Sequence, residues 1–221
     1  SVGLGQSFAF VLVPPLARDL GLSVVETSLI FSISAVAWAV TSSSWGRISD
    51  KYGRRNIAVI GLIGYSVSII ALITPLFLVE RNLLDFVFLL PLLIFGRLIN
   101  GLIGSATRPA AFAYIADISE RTKRTKKFAR LESSFLVGTI MGPMIGGFLF
   151  LYSKPLPFYI FAICGFISAL GIFYTFPKTT LLKEKAEDML SKLSFKDKSV
   201  WPYLFIAALS SLCQASLLQS I

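Results

Sequence analysis

Long uncharged apolar segments alternate with short charged gaps along this chain. A helix needs about 20 apolar residues to cross the hydrocarbon core of a bilayer, and its backbone polar groups must bond within the helix there. The pattern therefore predicts an all-α membrane protein. The predicted spans cover residues 1–17, 27–46, 57–79, 86–116, 133–153 and 155–177, and a seventh span begins in 201–221.

The composition also favours a surface in contact with lipid. Of the 221 residues, 55% are hydrophobic and only 15% are charged, and the mean hydropathy is +0.75. A soluble domain usually has about 25% charged residues, which help to cover its apolar core. The excess of apolar residues indicates that the outer surface is apolar too.

The net charge of +9 has a distribution that predicts orientation. A basic chain can also indicate nucleic-acid binding, but here the charges lie in short gaps between apolar runs. Four, six and six basic residues lie in the gaps after the second, fourth and sixth predicted spans, and one lies in each of the other three gaps. The positive-inside bias then places the gaps after the second, fourth and sixth spans in the cytoplasm, together with the N-terminus. The last of these gaps is 178–200.

The order of the segments predicts three regions. Residues 1–177 form an amino-terminal bundle of six transmembrane helices, 178–200 form a charged cytoplasmic linker, and 201–221 begin a second bundle. Within the linker, 183–193 is either an amphipathic surface helix or solvated chain. Six spans, a long linker and further spans are typical of a two-bundle transporter. We therefore expect about the first half of such a protein, cut off at both ends.

The gap after the second predicted span contains the most specific pattern. It reads G-x-x-x-D-K-x-G-R-R from Gly46 to Arg55, in which the glycines permit a tight turn and the basic residues keep Asp50 ionised. This pattern resembles the loop signature of the major facilitator superfamily. The resemblance implies a latch between two bundles and a charge relay that includes Asp117, although Asp117 alone also fits an interfacial charge. The implied gating residues are Gly46, Asp50, Lys51, Gly53, Arg54, Arg55 and Asp117.

The fourth predicted span has one polar face, made of Arg97, Asn100, Gly101, Gly104 and Arg108. A charge at mid-span costs about 2.5–3.5 kcal/mol on insertion scales and normally faces a cavity or a partner. Arg108 is nearer the span's end and also fits a snorkelling side chain. The stretch R-x-x-N-G-x-x-G is similar to a motif of the same superfamily, in which the arginine is tied to proton coupling. The family more often has Gln at the position of Asn100.

The fifth predicted span contains a glycine every four residues, at Gly138, Gly142 and Gly146, with Pro143 and Gly147 beside them. Such a stripe favours close helix packing, and the proline permits a bend. The pattern G-x-x-x-G-P-x-x-G-G resembles the antiporter motif of exporters in this superfamily. A generic tightly packed helix is the alternative.

Other candidate residues carry weaker signals. Gly3, Gly5 and the pair Pro14–Pro15 resemble the first-span pattern of tetracycline and multidrug exporters, in which an acidic residue often precedes the glycines. Glu132 is either a proton carrier or an interfacial ion pair. Candidate substrate-cavity residues are Gln6, Asn100, Gly101 and Gly104, and candidate aromatic walls, which also fit lipid-facing or packed rings, are Trp38, Tyr65, Phe112, Tyr114 and Phe135.

Together these patterns imply a proton-coupled exporter of small organic molecules that works by alternating access. The alternatives are a carrier of the same fold for a siderophore, sugar or amino acid, and a non-transporting receptor or regulator. The expected partners are the bilayer of the plasma (inner) membrane, an organic substrate and protons; no nucleic acid is expected, and the full-length protein is expected to be monomeric. The chain has no His, and Cys164 and Cys213 lack a metal-ligand spacing, so neither an enzyme nor a metal or cofactor site is expected.

Overall fold

The computed structural model of the protein describes residues 2–120 and 122–176. The predicted linker and seventh span lie outside the described residues. The described part of the chain contains helices and no strand, which confirms the predicted all-α fold class there. The helices are α1 (Val2–Asp19), α2 (Val24–Tyr52), α3 (Arg54–Glu80), α4 (Leu89–Leu102), α5 (Thr107–Asp117), α6 (Arg124–Phe150) and α7 (Leu156–Thr175).

Within residues 2–120 and 122–176, five helical segments are long and apolar enough to cross a membrane. They are α2, α3, the segment Phe86–Asp117 that contains α4 and α5, α6, and α7. The predicted remainder of the first span, α1, is an 18-residue helix and is not among these five. Large apolar side chains such as Ile140, Ile167 and Phe148 are exposed on the outside of the bundle, as lipid contact requires.

The core of the bundle forms around α3. In its most apolar stretch, 61% of the residues are buried, against 11% in α6, so α3 is central and α6 peripheral. α3 packs against α4 and α7, α1 packs against α6, and α2 packs against α4. Phe8 of α1 lies among the rings of Phe158 and Phe161 of α7, at centroid distances of 4.7 and 5.1 Å. Such tilted and edge-to-face aromatic contacts stabilise the packing beyond the area they bury.

Local sequence explains where α2 begins and ends. At its start, Ser23 accepts a bond from the Glu26 backbone N–H, and the Glu26 carboxylate accepts one from the Ser23 N–H, which is a capping box. At its end, Gly53 has φ +95°, a conformation that L side chains rarely adopt. The predicted loop 46–55 was therefore too long. α2 continues to Tyr52, and one glycine makes the turn into α3.

The fourth predicted span is interrupted, whereas a continuous helix over 86–116 was expected. It begins with a 3-10 turn at Phe86–Phe88, and a second 3-10 turn, Gly104–Ala106, separates α4 from α5. Side chains of α2 and α3 donate hydrogen bonds to carbonyl groups of α4 before this break: Ser34 to Arg97 (2.8 Å), Thr41 to Gly101 (2.9 Å), Trp45 to Leu102 (2.6 Å) and Ser68 to Gly96 (2.8 Å). These bonds join the broken span to two neighbours.

The two ends of the bundle differ in their contacts. At one end, which we name the basic end, Arg54 donates to Asp117 at the end of α5, and Arg55 donates to the Phe176 carbonyl after α7. At the opposite end, Lys154 pairs with Glu80. The turn at Gly53 therefore lies on the same side of the bundle as the point where the chain leaves α7 toward residues 178–200. This agrees with the predicted topology, in which the gaps after the second and sixth spans lie on the same side of the membrane.

Candidate functional site

Arg54 joins three helices at the basic end. Its guanidinium group pairs with Asp50 of α2, donates to Asp117 Oδ2 of α5 at 3.1 Å, and donates to Ser49 Oγ at 2.8 Å. Ser49 is fully buried, and the side chains of Arg54 and Asp50 are 16% and 23% exposed. We name Ser49, Asp50, Arg54 and Asp117 the Arg54 cluster. It brings together three of the residues that the loop signature implicated.

The other residues of the signature have separate positions. The Arg55 guanidinium lies 4.9 Å from the centre of the Phe173 ring and donates to the Phe176 carbonyl at 3.0 Å. Lys51 is exposed and lies over the Tyr52 ring. Gly46 lies within α2, and a Cβ there would meet nothing within 4 Å, so close helix approach does not require this glycine in the structure described.

Arg97 is a buried cation in α4. Arg97 is only 4% exposed, and its guanidinium carbon lies 4.6 Å from the centre of the Phe31 ring and 5.2 Å from that of the Phe10 ring. Aromatic faces attract a cation most strongly when water is excluded. No acidic side chain of the described residues forms an ion pair with Arg97, and its buried Nε has no hydrogen-bond partner among them.

The residues predicted to form the substrate cavity differ in position and packing. Asn100 is 3% exposed. A Cβ at Gly101 would lie 2.5 Å from the Ser34 carbonyl oxygen, so this glycine permits close contact with α2. A Cβ at Gly104 would make ordinary contacts with Asn100 at 3.5 Å. Gln6 is half-buried on α1.

The glycine stripe of α6 faces α1. A Cβ at Gly138 would lie 3.1 Å from the Leu4 backbone nitrogen, one at Gly142 would collide with the Leu4 carbonyl oxygen, and one at Gly146 would collide with the Phe8 ring. Gly147 faces open space, and Pro143 lies inside an unbroken helix. The four-residue spacing thus places three glycines on one contact face, whereas Gly147 lies off that face.

Glu132 lies beside Arg108 and not beside Arg97. Arg108 Nη2 donates to both carboxylate oxygens of Glu132, at 2.6 and 2.8 Å. The pair lies at a cavity of about 190 Å³ between α1, α5 and α6. Phe112 and Phe135, two of the five predicted aromatic-wall residues, line this cavity.

Sequence reasoning missed several side chains around Arg97 and α4. Phe10, Phe31, Ser34, Thr41 and Trp45 belong to α1 or α2, and the pairing of those helices with α4 decides their contacts. The span pattern identifies helices but not their neighbours. A weak signal was present in the polar residues of α2, since hydroxyl groups within an apolar helix favour bonds across helices.

The chain matches one protein-family model and is similar in sequence to two bacterial resistance proteins. The family model described as Major Facilitator Superfamily matches residues 1–221. Quinolone resistance protein NorA of Staphylococcus aureus is 29% identical over 198 residues, which are 87% of this chain and 48% of that protein. Tetracycline resistance protein, class B, of Escherichia coli is 30% identical over 205 residues, which are 91% of this chain and 48% of that protein. The chain spans about half the length of these relatives.

Proposed function

The chain belongs to the Major Facilitator Superfamily, and on that premise we propose that it is the amino-terminal bundle of a proton-coupled exporter of small organic molecules. Residues 1–177 supply six transmembrane helices, 178–200 supply a cytoplasmic linker, and 201–221 begin the second bundle. Substrate and protons use a central site between the bundles, and alternating access rocks one bundle against the other. The full-length protein acts as a monomer.

The buried charge of Arg97 is the observation that carries the proton-coupling part of this proposal. Within a span, such a charge is costly to insert and usually marks an ion or substrate pathway. Two ring faces hold the guanidinium in place, while no acidic partner pairs with it among the described residues. We infer that Arg97 pairs with a carboxylate that changes its protonation state during the cycle. One proton crossing a 100 mV potential supplies about 2.3 kcal/mol, which biases the two bundle orientations.

Two observations support export of organic molecules. Similar proteins carry the names quinolone resistance protein and tetracycline resistance protein. The stripe of Gly138, Gly142 and Gly146, which resembles the antiporter motif, packs α6 tightly on α1. Tight packing at this interface limits leakage of ions alongside the substrate. Gln6 and Asn100 are the proposed hydrogen-bonding residues for substrate, and Gly101 and Gly104 leave room beside them.

The charge distribution supports an orientation in which the basic end faces the cytoplasm. The proposed location of the protein is the plasma (inner) membrane. The Arg54 cluster then lies at the cytoplasmic end of α2, α3 and α5. We propose that it acts as a latch, because one guanidinium group holds two carboxylates on different helices. When the bundles rock, the environment of this cluster changes, so the stability of its ion pairs influences the balance between the inward-open and outward-open states.

The proposal is tested by transport in inverted membrane vesicles that contain the full-length protein. A fluorescent quinolone and tetracycline serve as probes, and a proton gradient is imposed across the vesicle membrane. We expect accumulation that stops when a protonophore collapses the gradient. Arg97→Ala is expected to abolish coupling, whereas Arg97→Lys retains part of it because the charge is kept.

Arg81 supplies the matched control, since it caps α3 at the opposite end of the bundle and is exposed. Arg81→Ala should leave accumulation unchanged. Unaltered coupling in Arg97→Ala would remove Arg97 from the mechanism. Accumulation that is indifferent to the protonophore would refute proton coupling, and gradient-driven transport of a sugar, siderophore or amino acid without drug transport would identify a metabolite carrier instead.

A further inference from the structure

Arg108 occupies a site that is built for a cation. Its Nη2 donates to both oxygens of Glu132, and its guanidinium carbon lies 4.5 Å from the centre of the Phe135 ring. A carboxylate supplies charge-assisted hydrogen bonds, and a ring face attracts a flat cation. A planar guanidinium uses both interactions together better than a compact ammonium group does. The same two residues would hold any other planar cation in that position.

The space beside this pair accepts part of a ligand. The cavity of about 190 Å³ has mainly apolar walls, which include Gly3, Ala111, Phe112 and Leu131. Sites that enclose a drug-sized molecule usually measure about 300–1,000 Å³. This cavity therefore suits a single ring or the head group of a larger molecule. Its apolar walls and its one carboxylate favour an aromatic cation over an anion or a sugar.

We propose that Glu132 and Phe135 form a binding site for the amidinium or guanidinium group of an aromatic ligand, which Arg108 occupies as an internal competitor in the state described here. The site is separate from the substrate cavity proposed at Gln6, Asn100, Gly101 and Gly104. Arg108 lies on α5, Glu132 and Phe135 lie on α6, and α1 lines the cavity. A ligand in this site would thus bridge α1 and α6, the pair of helices joined by the glycine stripe.

A ligand can displace the Arg108 side chain from Glu132 and Phe135. The side chains of Arg108 and Glu132 are 41% and 38% exposed, so the pair is not sealed inside the bundle, and a partly exposed ion pair contributes little net stability. The Arg108 side chain is long and flexible, so it can swing away from the carboxylate when a ligand displaces it. The Phe135 ring face and the Glu132 carboxylate are then free for the ligand. A purely structural ion pair would have no such exchange.

Binding of benzamidine to the purified full-length protein tests the site. Benzamidine is a planar aromatic cation, and benzamide is its neutral counterpart with nearly the same shape. By isothermal titration calorimetry, we expect benzamidine to bind wild type weakly and to bind Arg108→Gln about tenfold more tightly, because the internal competitor is removed. Glu132→Gln should weaken binding by about tenfold, since the carboxylate becomes neutral at constant size. Benzamide should bind none of these proteins.

Lys154 supplies the control, because its pair with Glu80 is a similar exposed ion pair at the opposite end of the bundle. Lys154→Gln should bind benzamidine as wild type does. Equal or weaker binding by Arg108→Gln than by wild type would overturn the proposal, as would undiminished binding by Glu132→Gln or an absence of binding by every protein.

Thermal unfolding keeps the test decisive if a variant is unstable. Benzamidine should raise the melting temperature of Arg108→Gln and leave that of the double variant Arg108→Gln/Glu132→Gln unchanged. A structural ion pair alone predicts no benzamidine effect on either protein. The measurement needs no ion gradient, so a negative result here would leave the proposed efflux function standing, and a failed efflux assay would leave this site standing.

Discussion

Gly142 is a position where one added methyl group directly perturbs the packing of α6 on α1. A Cβ there would collide with the backbone carbonyl oxygen of Leu4 and with Ser7 Oγ. The serine hydroxyl can rotate away, but the carbonyl is part of α1 and cannot move without shifting the helix. Gly142→Ala therefore requires α1 and α6 to separate. Gly147 faces open space on the same helix, and Gly171 does so on α7.

The expected size of the effect comes from two opposing contributions. Replacing Gly by Ala inside a helix favours the helix by up to about 1 kcal/mol, and this gain applies equally to all three glycines. Overpacking a close contact costs about 1–3 kcal/mol, and only Gly142 has such a contact among the three. We therefore expect Gly142→Ala to lie about 1–3 kcal/mol below Gly147→Ala in free energy of unfolding. Gly147→Ala itself should equal or exceed wild type.

Helix content during an SDS titration of the full-length protein in mixed micelles measures this difference. Gly142→Ala should lose helix at a lower SDS fraction than wild type, whereas Gly147→Ala and Gly171→Ala should not. The same transition for Gly142→Ala and Gly147→Ala would refute the reasoning, because the two variants share the gain in propensity and differ in the predicted collision. A loss of stability in Gly171→Ala as large as that in Gly142→Ala would also count against it.

Three further predictions follow from other contacts. Arg54→Gln should slow drug efflux roughly tenfold in vesicles, because Asp50 and Asp117 lose their shared partner, while Lys51→Gln, at an exposed side chain, changes the rate little. Ser34→Ala should lower the free energy of unfolding by about 0.6 kcal/mol in the SDS titration, since a buried bond to α4 is lost, and Ser32→Ala at an exposed position should not. In a full-length protein from which Cys164, Cys213 and any further cysteines have been removed, a membrane-impermeant maleimide should label Lys51→Cys only from the cytoplasm and Asn82→Cys only from outside, and the reverse pattern would invalidate the predicted orientation.

The sequence was sufficient to predict the helical fold, because lipid leaves an apolar segment few alternatives to a helix. It was less informative about where helices end. The charged residues after Gly46 suggested a loop, yet α2 continues through Tyr52, because charged side chains at the surface do not interrupt backbone bonding. The positive φ at Gly53 marks the turn, and either glycine of the pattern was a candidate for it. The break at Gly104–Ala106 was also missed, although Pro109 in the first turn of α5 has no backbone N–H and disfavours an unbroken helix there. Bonds from α2 to carbonyl groups just before the break support it.

In the candidate site, too, features set by spacing within one helix were predictable, whereas contacts between helices were not. Glycines four residues apart must share a helix face, so the contact between the stripe and a neighbouring helix followed from spacing, although the identity of that neighbour as α1 did not. The partners of the charged residues depend on which helices meet. Arg97 and Arg108 lie on one predicted face of the fourth span, yet Arg97 lies between two rings and Arg108 pairs with Glu132. Because the packing of α1, α2 and α6 decides that difference, a buried arginine within a predicted span indicates that a partner is needed but does not identify it.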